Sequence, residues 1–239
     1  FGELSLSQPA GSWRVKVSAG FERARWAGEV VLVAGETSQL EVTLTQEIDR
    51  EGWASGDFHQ HATPSLDSVT PLLDRLLSNV GAGLDFIVGS DHDVITDYRP
   101  VIAAADLSEA IGAPLLGVEI SPFNGHMGAY GIAQDRDHPE GGSGSPALIT
   151  DEDGPWRRRL IPELVEAARA RGAEIMQINH PRDSSGLFDT VDYQATDSAV
   201  AFAHPEWSGG FDSVEVYNGR SSFCVVLGDW LSLLNKGVR

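Results

Sequence analysis

Gly56-Asp57-Phe58-His59-Gln60-His61, with Asp67 six residues on, is the stretch that decides the fold. The approach to it, Trp53 to Phe58, is read as a short strand, and the polar residues gather at its C-terminal end. Two histidines at i and i+2 on an extended chain point to the same face. A carboxylate close behind them completes a pattern that suits metal ligation by imidazole and carboxylate, the donor set of Zn, Mn or Fe.

Working outward from His61, the chain alternates between helical and extended patterns. Val69, Leu72, Leu73, Leu76, Leu77 and Val80 mark one helical face, and Gly81 and Gly83 follow as stop signals. Leu84–Gly89 is a short apolar run and is expected to be a buried strand. Tyr98–Ile111 is alanine-rich and predicts a helix, while Pro114–Ile120 and Met127–Ala133 predict strands. Gln134–Pro155 is rich in Gly, Pro and Asp and reads as a long surface loop. Leu160–Arg171 is amphipathic and ends at Gly172; Ala173–Ile178 is a strand, Ser184–Gly210 an irregular insertion, Phe211–Val216 a strand and Phe223–Asn235 a helix. Strands alternating with helices imply an α/β domain on a mainly parallel sheet, open or closed into a barrel, over residues 49–239. Residues 1–48 differ. Trp13, Val15 and Val17 alternate with basic residues, Val30–Val33 is apolar, and Leu40, Val42 and Leu44 alternate with polar ones. These read as antiparallel strands of a small β-sandwich-like module, joined to the rest by the polar linker Gln46–Gly52.

The strand ends carry most of the chemistry. Beyond His59 and His61, Leu84–Gly89 delivers Asp91, His92 and Asp93, and Leu115–Val118 delivers Glu119. His126 precedes the next strand, Ala173–Ile178 delivers Asn179 and His180, and Phe211–Val216 holds Glu215 and delivers Asn218. That end of the strands is where α/β folds build their sites. Five of the seven histidines lie there; His138 and His204 are read as solvated surface residues. Cys224, between Phe223 and Val225, is the single cysteine and reads as a buried structural thiol. It excludes an internal disulfide and a cysteine-based zinc cluster.

Lysine plus arginine is 17 against 35 aspartates and glutamates, a formal charge of −18. That balance disfavours nucleic acid and anionic membranes as partners, and no apolar stretch approaches the length of a membrane span. The partner expected is a small-molecule substrate. One cysteine and an acidic surface are compatible with cytoplasm, periplasm or export. The first residue is Phe1, and the reading expects a piece of a longer polypeptide.

The sequence resembles the PHP (polymerase and histidinol phosphatase) superfamily of metallohydrolases. Gly56–His61 with Asp67 is similar to its first motif, Ser90-Asp-His-Asp93 to its second, Gly117-Val-Glu119 to its third and Asn179-His-Pro181 to a fourth. Glu215-Val-Tyr-Asn-Gly219, and the Gly-Trp approach at Gly52, are similar to the carbamate-hydrolase-like (CehA/McbA) branch, which also carries a preceding β-module, here of carboxypeptidase-regulatory-like type. The resemblance covers roughly residues 50–236 and implies a distorted (β/α)7 barrel with two or three divalent ions, Zn, Mn or Fe. By motif position His59, His61 and Glu119 hold one ion, Glu119, His126 and His180 a second, and Asp67 and His92 a third. The family's final Asp-x-His motif, on the strand after the last helix, has no counterpart before Arg239, so the barrel is expected to lack its last strand. The implied activity is hydrolysis of a phosphoester, or of a carboxylic or carbamate ester or amide, by a metal-bridging hydroxide. Asp57 is expected to orient a ligand histidine and Arg182 to contact an anionic substrate. The rival expectation is a non-catalytic binding module built on a degenerate barrel.

Overall fold

The computed structural model describes residues 2–133, 159–219 and 223–238. The chain opens with an antiparallel hairpin, β1 (Gly11–Val17) and β2 (Trp26–Leu32), in a register that sets Trp13 against Val30 and Arg14 against Glu29. The run Leu40–Leu44, expected to be a third strand, forms no ladder. An alternating pattern becomes a strand only where a free edge lies alongside it. Only Thr45–Glu47 finds one, through Ala24 N–H to Thr45 O (2.9 Å) and Glu47 N–H to Glu22 O (2.9 Å).

The hairpin meets the rest of the chain by close backbone approach. Gly20 has φ +74°, and a Cβ there would sit 1.9 Å from Ala82 O; Gly83 has φ +70°, and a Cβ there would sit 2.9 Å from Ala19 O. Only glycine fits two such positions. Arg50, in the expected linker, bridges Glu22 and Asp85, each at 2.8 Å.

The remaining strands are β3 (Gly56–Asp57), β4 (Phe86–Ile87), β5 (Gly117–Ile120), β6 (Met127–Tyr130), β7 (Ile175–Ile178) and β8 (Ser213–Val214). The helices are α1 (Leu72–Gly81), α2 (Arg99–Ala104), α3 (Ile161–Ala170), two single turns α4 (Leu187–Thr190) and α5 (Ala199–Phe202), and α6 (Phe223–Asn235). Pro71, just ahead of α1, leaves Val69 outside the helix and exposed. The helix expected over Tyr98–Ile111 stops early, and Asp106 turns the chain with φ +54°.

β3 pairs with β4 in parallel, and single bridges, Val88 to Leu115 and His92 to Glu119, carry the row on toward β5. β5, β6 and β7 are then successively antiparallel, and β8 is parallel to β7. The row is thus mainly parallel, as expected, with β6 alone reversed. Only six residues separate β5 from β6, whereas a parallel return needs about a dozen or more. Among the described residues no ladder joins β8 to β3. Still, the Tyr130 hydroxyl of β6 donates to Phe58 O, just past β3, at 2.7 Å, so β3 and β6 face a common interior.

Period-2 alternation then sorts the side chains. Val118, Ile120, Ala129, Met176 and Ile178 pack outward with α3 residues such as Leu164 and Ala168. The intervening positions Glu119, Gln177 and Asn179 are buried on the other face. A second apolar cluster joins Leu76 of α1, Ile87 of β4 and Ile102 of α2. Cys224 is exposed, not buried as expected, because α6 turns Val226, Asp229 and Leu233 inward and Cys224 to the opposite side. No helix among the described residues is long and apolar enough to cross a membrane.

Candidate metal centre

Each strand end contributes one or two ligand-type side chains. β3 runs into His59 and His61, β4 into His92, β5 carries Glu119, the loop before β6 carries His126, and β7 runs into His180. All five imidazoles meet. Ring-centroid distances are 5.2 Å from His59 to His61, 4.5 Å to His92, 5.3 Å to His126, 5.1 Å to His180 and 5.4 Å back to His59. This closed ring surrounds Glu119, which is wholly buried.

The two carboxylate oxygens serve different partners. Oε1 lies 3.1 Å from His59 Nε2, 3.1 Å from His180 Nε2 and 3.4 Å from His126 Nδ1. Asn179 Nδ2 donates to the same oxygen at 2.9 Å. Oε2 lies 3.1 Å from His61 Nε2 and 2.9 Å from His92 Nδ1.

A second layer sets the rings. Glu215 Oε1 pairs with His59 Nδ1 at 2.9 Å, and its Oε2 accepts the His180 backbone N–H at 2.7 Å. One carboxylate thus directs two ligands, and Asn218 Nδ2 donates to it at 3.2 Å. Asp67 lies 3.0 Å from His61 Nδ1 and accepts the Ser65 hydroxyl at 2.7 Å. His92 Nδ1 lies 2.6 Å from Ser121 Oγ. The loop between His59 and His61 is fastened from below. Gln60 Nε2 donates to Asn79 Oδ1 (3.2 Å), Arg75 donates to His61 O (2.6 Å), and buried Asp91 accepts Ala62 N–H (2.6 Å) and the Thr96 hydroxyl.

The electrostatics follow from this packing. Burial alone would push the Glu119 carboxyl up, but four imidazoles around it, His126, His180, His59 and His61, hold it far below the usual carboxylate range. Burial disfavours a charged His59 ring, yet Glu119 and Glu215 raise its pKa to about 10. Contact with Glu119 raises His92 against the effect of burial. Burial likewise opposes the charged form of Glu215, and the His59 ring outweighs it and lowers the carboxyl's pKa. A buried carboxylate of this kind requires positive charge nearby, supplied either by protons on the imidazoles or by cations.

The donor set fits cations. His61 Nε2, Glu119 Oε2, His126 Nδ1 and His180 Nδ1 are buried and make no hydrogen bond. His61 Nε2 and Glu119 Oε2 are 3.1 Å apart but not aligned to bond each other. Two triplets have ligand atoms all within 4.8 Å of one another, His59–Glu119–His180 and His61–His92–Glu119. The resemblance implies one set for His59 and His61; here they face opposite oxygens of Glu119. Asp67 belongs to neither triplet and backs His61 instead.

Two further expected residues stand outside the ring of imidazoles. The Asp57 carboxylate accepts the backbone N–H of His59 at 3.0 Å, so it acts on that histidine through the backbone and not through its ring. The Arg182 guanidinium is taken up by Asp229, Asp189 and Tyr193 O, which leaves it no part in the ring. His204 is half-buried, its Nδ1 accepting the Glu206 N–H at 3.1 Å, and stands outside the ring; His138 lies outside the described residues. Glu215 had been noted as a strand residue without a role. A carboxylate closing a strand that ends beside other ligands was the signal.

Models of known protein families give no match to this chain, and a search of curated proteins gives none either.

Proposed function

We propose that this chain is a metal-dependent hydrolase of the PHP type, its centre holding two divalent ions, Zn, Mn or Fe, on either side of Glu119. The reaction class is hydrolysis of a small-molecule phosphoester, or of a carboxylic or carbamate ester or amide. One observation carries the reading: a closed ring of five imidazoles around a wholly buried carboxylate, with four buried nitrogen and oxygen atoms left without hydrogen bonds. Structural histidines are ordinarily satisfied by their neighbours. His59, Glu119 and His180, and His61, His92 and Glu119, would hold the divalent ions, which would supply Lewis acidity toward a substrate oxygen and water.

The chain's own residues do the positioning. Glu215 fixes the His59 tautomer by accepting a hydrogen bond from Nδ1–H, which leaves Nε2 to face Glu119. Asp67 does the same for His61, whose Nε2 faces Oε2. Asn179 holds Oε1 with a donated N–H. Burial keeps the Tyr130 hydroxyl well above its ordinary pKa, so it stays a donor to Phe58 O beside the loop that carries His59.

The test is metal analysis of the protein with assays on p-nitrophenyl phosphate and a carbamate ester, each with Mn or Zn added. The expected result is bound metal, turnover of one substrate class, and loss of that turnover in His59→Ala. No bound metal and no turnover with either ion would overturn the reading in favour of a non-catalytic binding module.

A further inference from the structure

Arg182 follows His180 by two residues, and its guanidinium is held on every side. Nε and Nη2 donate to the two oxygens of Asp229 on α6 at 2.8 and 3.0 Å. Nη2 also donates to Tyr193 O at 2.7 Å, and Nη1 to Asp189 Oδ1 at 2.9 Å. The rings of Phe188 and Tyr193 lie 5.5 and 5.9 Å from its central carbon. Asp229 is 3% exposed, unusual for a carboxylate unless paired. Bidentate pairing fixes a planar guanidinium in direction as well as distance.

What this clamp sits beside is strained. His180 has φ +24°, outside the regions that side-chain-bearing residues favour, and it precedes Pro181, which drives its predecessor toward extended backbone. The turn is tied down downstream, by Asp183 N–H to His180 O (2.9 Å) and Phe188 N–H to Pro181 O (3.1 Å). Strained backbone persists where its surroundings over-determine it.

We infer that the Arg182–Asp229 pair is a positioning device for the metal centre. It holds the His180 turn in the conformation that aims Nε2 at Glu119 Oε1, and so sets cation affinity in the His59–Glu119–His180 triplet. The inference rests on the metal-centre reading above. Arg182 is a positioning residue and touches neither ion nor substrate. A purely stabilising pair behaves differently, because a buried ion pair exchanged for apolar residues of similar volume commonly keeps or gains stability.

The test is titration of the metal-free protein with Co²⁺, followed by visible absorption and calorimetry, alongside thermal melts. The original chain is expected to bind two ions. Arg182→Lys, which keeps the charge but not the fork, is expected to weaken one of the two by roughly tenfold or more and to leave the other within about twofold. The double variant R182M/D229L is expected to melt close to the original while showing the same one-sided weakening. Recovery of both melting and affinity in R182M/D229L, or equal weakening of both ions in R182K, overturns the inference and leaves the pair as scaffold. Unchanged Co²⁺ binding in R182K overturns it too, and R182K decides alone where the double variant does not fold. An original chain that takes up no Co²⁺ overturns the hydrolase proposal itself.

Discussion

The two oxygens of Glu119 face unlike halves of the centre. On the Oε1 side stand His59 and His180, backed by Glu215, whose side chain is 9% exposed. On the Oε2 side stand His61 and His92, backed by Asp67, whose side chain is 54% exposed. Both halves use the same arrangement of carboxylate, imidazole and shared hub, but water screens one and not the other. A carboxylate that aligns an imidazole does so more strongly when dry, since Coulomb interaction scales inversely with the local dielectric. The difference leaves the first half dry and the second open to solvent.

The comparison can be broken at its hub first. Glu119→Gln keeps the shape and removes the charge that both halves share. Metal content is expected to fall below one ion per chain, and turnover by at least about a thousandfold, on the scale of losing a principal electrostatic element. Retention of both ions would mean that the hub is not shared.

The two backing carboxylates sharpen it. Glu215→Gln is expected to weaken metal binding by about 10–100-fold, as losses behind ligand histidines do, and Asp67→Asn by less than about tenfold. Equal effects in calorimetric titrations would erase the distinction between dry and wet halves.

A smaller effect is expected outside the centre. Slight burial works against the charged form of Asp85, and bonds from the Ser55 N–H and hydroxyl and from Arg50 prevail, so its carboxyl sits below the usual range. A depressed carboxyl contributes stability above its unfolded pKa, near 4, and loses it as pH falls through the lower folded value. Asp85→Asn should therefore lower the melting temperature by no more than about 2–4 °C at pH 7, and by nothing measurable at pH 2. Least of all, His204→Ala should leave turnover within about twofold, because its ring lies outside the five-membered set.

The histidines and Glu119 were legible because strand ends can be read from local apolar runs, and metal chemistry selects few residue types. Their grouping was not. Which oxygen of Glu119 each ring faces depends on how β3 and β7 lie across the interior, and no local pattern carries that. The same holds for Arg182, whose partner Asp229 lies 47 residues on. The antiparallel turn from β5 to β6 was present in the sequence as a six-residue gap, but the strand–helix alternation elsewhere outweighed it. Leu40–Leu44 shows the opposite failure, a clear alternation with no edge to join. Cys224 was misplaced because its apolar neighbours in sequence stand on different faces of α6.

Helix α1 ties two distant stretches of the chain together. Its C-terminal end receives the hairpin at Ala82 and Gly83, while Asn79 and Arg75, one and two turns back, grip Gln60 and His61 O. The helix is a ten-residue beam, about 15 Å long, loaded at both places. The hairpin and the His59–His61 loop are therefore fastened to one support, which Leu76 anchors in the apolar cluster with Ile87 and Ile102.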